Sequence, residues 1–241
     1  MLTVLKMGGS VLAGACGYRR AAAFISDRLG ARPRERLLVV VSAEFGTTDA
    51  LQASARDIVD QPDAATLDLL WSTGEIRSAA VLTLCLHAAG ARATALNAHQ
   101  TGLVQSDQAE GPGHAELHAL GLRAALAASD VVVVPGFLAR AAGGAIVSLG
   151  RGGSDLTAVL LAAGLGARHC ELIKDVPGYF SADPHLDASA RQLPAIDFPR
   201  ALAMADAGCA LVQRQALEVA SRCRLPLVVR GLDGEGATII T

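Results

Sequence analysis

The sequence predicts an α/β protein, a three-layer α/β/α sandwich around a mostly parallel central sheet, and three observations carry this. Continuous apolar runs such as Leu37-Leu38-Val39-Val40-Val41 and Val131-Val132-Val133-Val134 have the length and β-branching of strands buried on both faces. Stretches of helical pattern separate these runs, as expected of helices covering a parallel sheet. Polar or glycine-dense segments follow the runs, where ligands of open parallel sheets collect at the carboxyl ends of strands.

Composition sets the class. The chain has 241 residues, 51% hydrophobic but only 3% aromatic, which suits helices packed closely on a sheet. A formal net charge of −2 and no basic stripe argue against nucleic acid as a partner. No apolar run reaches the roughly 18–20 residues of a membrane span, and the N-terminus has no signal-peptide layout. Five scattered cysteines (Cys16, Cys85, Cys170, Cys209, Cys223) without CxxC spacing predict buried free thiols in a reducing cytoplasm. Of the 21 basic residues only Lys6 and Lys174 are lysines. In so arginine-rich a chain, a lysine marks a place that calls for a compact ammonium rather than a wide guanidinium.

In chain order, Leu2 to Met7 reads as a strand that ends in Lys6-Met7-Gly8-Gly9-Ser10-Val11. A lysine beside two glycines can set its ammonium against phosphate oxygens held by exposed amides. Neither a Walker A loop nor a GxGxxG fingerprint occurs. Tyr18 to Leu29 reads as a helix and Arg36 to Ser42 as a strand, followed by Ser42-Ala43-Glu44-Phe45-Gly46-Thr47-Thr48-Asp49. That segment is either a hydroxyl-bearing ligand loop or an ordinary turn with a Thr-Asp cap. Ala64 to Ala89 predicts two helices divided near Ser72-Thr73-Gly74, with Ser72 and Glu75 spaced as a capping box. Ala91 to Leu96 reads as a short strand, and residues 108–113 as the most linker-like segment. His114 and His118, four apart on an expected helix, lack a third ligand and read as a solvated face.

The densest stretch is Gly143 to Ala167. Ala145-Ile146-Val147 leads into Leu149-Gly150-Arg151-Gly152-Gly153-Ser154-Asp155, and a helical pattern follows from Leu156. Glycines let a backbone approach a ligand, and Ser154 and Asp155 fall where an N-cap belongs. The helix amides would then face the turn and attract an anion. A purely structural turn is the alternative. Beyond it, Cys170 to Ile173 is a strand, and Phe198 to Ile240 gives a helix, a second from about Gln213, and strands at 227–229 and 238–239.

Leu149 to Asp155 resembles the signature of aspartokinases, within the amino acid kinase family. The opening Lys6-to-Ser10 motif is similar to that of the wider family, although aspartokinases usually carry threonine before the serine. Ser42 to Asp49 resembles the aspartokinase loop whose serine and threonine contact the amino-acid substrate, which implies that role for Ser42 and Thr48. Ser72 to Ser78 resembles the motif whose glutamate binds the substrate's α-ammonium, here Glu75, and Gln100 to Leu103 a loop between substrate-site elements. Lys174 to Pro184 is similar to the nucleotide loop Thr-Asp-Val-Asp-Gly-Val-Tyr-Thr-x-Asp-Pro. Asp175, Gly178, Asp183 and Pro184 match it, while Lys174 replaces threonine and Pro177 replaces aspartate. Where aspartokinases carry Gly-Ala-Lys-Val-Leu-His-Pro, this chain has Gly208 to Arg214, with Ala210 in place of the lysine.

The resemblance covers the whole chain and implies a single amino acid kinase domain over 1–241. Its N-terminal part would bind the acceptor, and the part after about 140 mainly the nucleotide. The expected activity is ATP- and Mg²⁺-dependent phosphorylation of the carboxylate of a small amino acid, aspartate or a relative. Lys6, Asp155 and Lys174 would be catalytic. Ser42, Thr48, Glu75 and Arg151 would bind the acceptor; Gly8, Gly9, Ser10, Gly152, Gly153, Ser154, Asp175, Gly178, Phe180 and Asp183 would bind nucleotide. No protein-held metal is expected, nor C-terminal regulatory ACT domains, nor a response to lysine, threonine or methionine. A cytoplasmic homo-oligomer, a dimer or higher, with a small-molecule acceptor and no membrane partner, completes the expectation. Two other readings stand beside it: a family member acting on phosphate, phosphonate or carbamate, and a non-catalytic nucleotide- or amino-acid-binding regulatory subunit.

Overall fold

The computed structural model describes residues 1–105, 115–150, 152–184, 186–187, 189–234 and 236–241. Arg151, His114 and the linker-like residues 108–113 lie outside the described residues. Among the described residues eight strands form the main sheet. In spatial order they are β10 (Ala195–Ile196), β12 (Thr238–Ile240), β11 (Leu227–Gly231), β9 (Cys170–Lys174), β1 (Leu2–Met7), β2 (Arg36–Val41), β6 (Val131–Pro135) and β3 (Ala93–Ala95). All neighbours pair in parallel except β11 with β12.

Side chains alternate across the central strands, and both faces are apolar. Leu37, Val39 and Val41 enter one core with Tyr18, Ile25, Leu82 and Leu86, whereas Leu38 and Val40 enter the other with Leu122, Leu156, Leu161 and Leu217. The first core lies under α1 (Gly14–Ala31) and α3 (Ala64–Ala88); between them in sequence α2 (Thr47–Ile58) begins within the segment expected as a loop or turn and contributes no buried residue to the core. The second lies under α4 (Leu120–Ala128), α5 (Gly153–Leu165), α6 (Phe198–Asp206) and α7 (Arg214–Arg222). This is the three-layer sandwich. Six of the main-sheet strands, all but β10 and β12, end on one edge, which carries Lys6, Ser42, Gly136 and Lys174.

Several expectations need correction. The stretch Ala64–Ala88 is one unbroken helix capped by Asp63, which accepts from the Thr66 amide at 2.8 Å. Ser72 and Thr73 start no new helix: their hydroxyls donate back to the Leu69 and Leu70 carbonyls, and Gly74 faces Ala43 and Thr47. The capping-box spacing of Ser72 and Glu75 is therefore not used as a cap. The run at 145–147 becomes β8 (Ile146–Ser148) of a second sheet, ordered β5 (Ala115–Leu117), β4 (Leu103–Gln105), β7 (Leu138–Arg140), β8. His118 follows β5 in the connection to α4, outside any helix, and is exposed. Of the cysteines only Cys170 is buried; Cys16 and Cys223 are exposed, and Cys85 and Cys209 intermediate. No helix among the described residues is long and apolar enough to cross a membrane.

At the amino ends of the strands, opposite the polar edge, Arg28 of α1 joins two buried carboxylates. Its guanidinium holds Glu35 at 2.8 and 2.9 Å and Glu171 at 2.8 and 2.7 Å. Thr3 donates to Glu35, and His169 meets Glu171 at 3.0 Å. Burial alone would raise the Glu171 carboxyl; His169 and Arg28 outweigh it and hold it at about 2. This network fastens α1 to β1, β2 and β9. Arg28→Met would leave two buried carboxylates without their cation, and a loss of about 3–5 kcal/mol is expected. Urea midpoints of parent and variant measure it; a loss under about 1 kcal/mol, the scale of a surface pair, would contradict the assignment.

Candidate active site

The site is built on Asp155, in the first turn of α5. The helix begins at Gly153, and its cap position is Gly152 at φ 73°, a left-handed turn that favours glycine. Ser154 and Asp155 thus fall inside the helix rather than at its cap, and Gly152, which turns the chain into the helix, has no side chain to accept the first amides. Asp155 accepts Lys6 Nζ at 2.9 Å on one oxygen and Lys174 Nζ at 2.8 Å on the other. The Gln213 amide donates to the second oxygen at 3.3 Å. Lys6 is the penultimate residue of β1 and Lys174 the last of the neighbouring β9, two positions beyond Leu172, the register partner of Lys6, so parallel pairing brings both ammoniums to one carboxylate.

Burial alone would raise the Asp155 carboxyl, but the charges of Lys6 and Lys174 outweigh it and hold the group well below the usual carboxylate range. Burial likewise lowers the Lys6 ammonium, against the pull of Asp155 and with the like charge of Lys174. The cluster carries one formal positive charge in excess, two ammoniums on one carboxylate.

Two cavities meet beside this cluster. One, of about 420 Å³, is lined by Ser42, Thr48, Trp71, Glu75 and Phe137 together with Gly150 and Gly152 to Ser154. The other, of about 440 Å³, is lined by Lys6, Asp155, Lys174, Cys209, Ala210 and Gln213. Ser42, Gly152 and Ser154 line both, so they form the shared wall. A further cavity of about 460 Å³, along α1 between Phe24 and Arg230, carries none of the residues singled out in the sequence.

Local contacts hold the loops at the junction. Gly9 stands so close to the Ala43 carbonyl that a Cβ there would lie 2.5 Å from its oxygen. The Phe45 amide donates to the Gly9 carbonyl at 3.1 Å and the Ser42 amide to that of Met7, tying the loops after β1 and β2 together. Glu44 accepts from the Gly14 amide and from Arg77, both at 2.7 Å.

Glu75 is the polar group of the first cavity's floor. One oxygen accepts the Ala43 amide at 3.3 Å, and the other is buried without a partner among the described residues. Burial pushes its carboxyl up to about 7. Phe137 adopts φ 67°, unusual outside glycine, held where its amide donates to the Thr157 hydroxyl and its carbonyl accepts the Leu149 amide.

The structure brings together Lys6, Asp155 and Lys174 in one group and Ser42, Thr48, Glu75, Gly152, Gly153 and Ser154 in the adjoining one. Gly8 packs near Lys6 and the Ile173 carbonyl. Ser10 and Asp175 line a third space, with Lys174, on the α1 side. Gly178, Phe180 and Asp183 line neither of the two main cavities: Gly178 packs on Thr238, Phe180 bridges to Gln192, and Asp183 is exposed. Sequence reasoning passed over Trp71, Cys209 and Gln213. Trp71 lies one turn before Glu75, a spacing hidden by the expected helix break.

Fold and site define a three-layer α/β protein with paired cavities meeting at a buried lysine–carboxylate–lysine cluster. The chain belongs to the amino acid kinase family, whose model matches residues 1–231. The aspartokinase of Thermus thermophilus is 40% identical over 195 residues, 81% of this chain and 48% of that one. That of Mycobacterium bovis is 36% identical over 244 residues, 99% of this chain and 57% of that one. The crystal structure of aspartate kinase from Synechocystis covers all of this chain and 40% of its own, with TM-score 0.88 and 32% identity. Uridylate kinase from Archaeoglobus fulgidus, at TM-score 0.71 and 19% identity with both chains fully covered, shares the fold. The chain spans about half the length of the aspartokinases it matches.

The Glu75 carboxyl, at about 7 in the folded chain against an ordinary 4.5, binds its proton more tightly folded than unfolded. Its contribution to stability is therefore full below pH 4.5 and lost as pH rises through 7. Glu75→Gln should flatten the fall in urea midpoint between pH 5 and pH 8. A variant with the parent's pH dependence would show that Glu75 is not buried as described.

Proposed function

We propose that this chain is an ATP-dependent kinase that phosphorylates the side-chain carboxylate of a small amino acid, aspartate or a relative. The observation that carries the reading is the pair of cavities sharing the wall of Ser42, Gly152 and Ser154, with Lys6, Asp155 and Lys174 at the junction. Membership of the amino acid kinase family and the aspartokinase relatives support it. The cavity of Glu75 takes the acceptor, whose ammonium meets the buried carboxylate; Ser42 and Thr48 offer hydroxyls to its oxygens, and Arg151 clamps its α-carboxylate. The cavity of Lys174 and Ala210 takes the nucleotide phosphates, with Gly8, Gly9 and Ser10 beside them. Asp175, Gly178, Phe180 and Asp183 belong to the loop that holds the rest of the nucleotide. On this view the division near residue 140 is functional, with the glycine corner at 150–154 serving both sides.

In the reaction a carboxylate oxygen of the acceptor attacks the γ-phosphorus, an O–P bond forms, and the bond to the β,γ-bridging oxygen breaks. The products are an acyl phosphate and ADP, and no proton need move. Catalysis of this kind rests on positioning and charge neutralisation. Lys6 and Lys174 supply positive charge where it builds up on the phosphoryl and leaving oxygens, and Asp155 fixes both ammoniums. Among the described residues no cluster of three or more His, Cys, Asp or Glu could hold a metal. Magnesium fits this site as an ion carried on the ATP phosphates, where it adds further charge neutralisation. The remaining parts of this reading are a homo-oligomeric assembly and a cytoplasmic location.

Lys174 and Ala210 line the same cavity, which supports Lys174 as the replacement for the family's lysine. Lys174→Ala should lower kcat on the order of 10²-fold, the scale of one preorganised donor. Lys174→Thr combined with Ala210→Lys should recover part of it. An unchanged kcat and ATP affinity in Lys174→Ala would end this assignment. The activity itself is tested by ATP turnover against a panel of amino acids and small phosphates, with hydroxylamine trapping the acyl phosphate as a hydroxamate. Hydroxamate from an acidic amino acid is expected. Turnover with phosphate, phosphonate or carbamate alone would favour another acceptor, and nucleotide binding without any turnover a regulatory subunit.

A further inference from the structure

Two buried polar atoms in the wall of the acceptor cavity have no partner among the described residues: Oε2 of Glu75 and the indole Nε1 of Trp71. They are of opposite kind, one an acceptor and the other only a donor. Because α3 runs unbroken from Ala64 to Ala88, residues 71 and 75 leave the same face one turn apart, with roughly 5–6 Å between Cβ atoms. Gly74 lets this face close on the loop after β2, where its neighbours are Ala43 and Thr47. The nearby hydroxyls of Ser72 and Thr73 are occupied by helix carbonyls and serve neither group.

The indole is held in place. Its ring meets Phe137 edge-on, with centroids 5.9 Å apart and planes at 61°. Phe137 is itself pinned by Thr157 and Leu149. A buried indole N–H ordinarily finds a partner, and leaving one open costs about 1–3 kcal/mol. Both orphaned atoms are shielded from water, so a ligand reaches them through a rotamer-scale shift of the wall. Trp71, only partly buried as a residue, leaves room for that shift.

We propose that Trp71 is a specificity-determining residue of the acceptor cavity, its indole N–H donating to a carboxylate oxygen of the acceptor while Glu75 takes the ammonium. The inference rests on the kinase reading above and adds to it a residue that discriminates among acceptors. The cavity selects small zwitterions whose two groups span about one helical turn. A phosphate, phosphonate or carbamate satisfies Trp71 but leaves Glu75 unpaired, and a simple amine does the reverse.

Trp71 is the only tryptophan in the chain, so its fluorescence reports on this wall alone. The intact chain is titrated with L-aspartate and, separately, with inorganic phosphate, and Trp71→Phe is compared with the parent in turnover. Aspartate should shift the emission saturably, over the range that saturates turnover, and phosphate should do so at least 10-fold more weakly. Trp71→Phe, which keeps an aromatic ring against Phe137, should raise the acceptor KM about 10–100-fold, the scale of a hydrogen bond to a charged group. Its kcat and ATP KM should stay within about 3-fold of the parent. A Trp71→Phe enzyme with the parent's acceptor KM, or parent emission unmoved by saturating aspartate, overturns the inference and leaves the kinase reading standing. If no amino acid is turned over, that reading fails, and the titration still decides for Trp71: a saturable aspartate response supports the contact, and none overturns it. Should Trp71→Phe not fold, the parent titration carries the test by the same outcomes.

Discussion

The carboxylate of Asp155, held between the ammoniums of Lys6 and Lys174, is the interaction on which the rest of the site depends. It ties the ends of two neighbouring strands to the first turn of α5, and through the Gln213 amide to the start of α7. Taking three charges out of water costs free energy that only close geometry offsets, and removing one partner leaves the others uncompensated. The surplus positive charge lies at the wall of a cavity. There an anion would complete what the protein leaves unbalanced, and a phosphoryl group in flight is such an anion.

Around that cluster the fold supplies two approaches. Gly152 and Ser154, at the start of α5, form part of both cavity walls, with Gly150 and Gly153 on the Glu75 side. The loops after β1 and β2, locked by the contact of Gly9 with Ala43, bring Ser42 to the shared wall. From the other side α3 presents Trp71 and Glu75 one turn apart. The buried Glu75 carboxyl, pushed up to about 7, and the buried indole N–H of Trp71 are the two groups that the proposed acceptor would pair.

Much of this was legible in the residues, for physical reasons that can be named. Runs such as 37–41 and 131–134 are apolar at every position because helices cover both faces of the sheet. Lys6 and Lys174 stood out as the sole lysines. Ser72-Thr73-Gly74 misled because hydroxyls and glycine also signal helix ends. Here the hydroxyls bond backwards within the helix and the glycine serves close packing. The cap of α5 was misplaced because a left-handed glycine closes the turn without a side-chain oxygen. The run at 145–147 could not reveal its sheet, since three residues carry no register. Pairings of Asp155 with a lysine 149 positions earlier and another 19 later lie outside any local pattern. The meeting of Trp71 with Phe137 is likewise tertiary.

The most direct test of the central cluster is a crystal structure of this chain with a non-hydrolysable ATP analogue and magnesium. The account predicts the phosphates in the cavity of Ala210, with the Nζ atoms of Lys6 and Lys174 both about 3 Å from β- or γ-phosphate oxygens and Asp155 still between them. Phosphates seated in another cavity, or Lys174 remaining on Asp155 alone with no phosphate oxygen in reach, would contradict it.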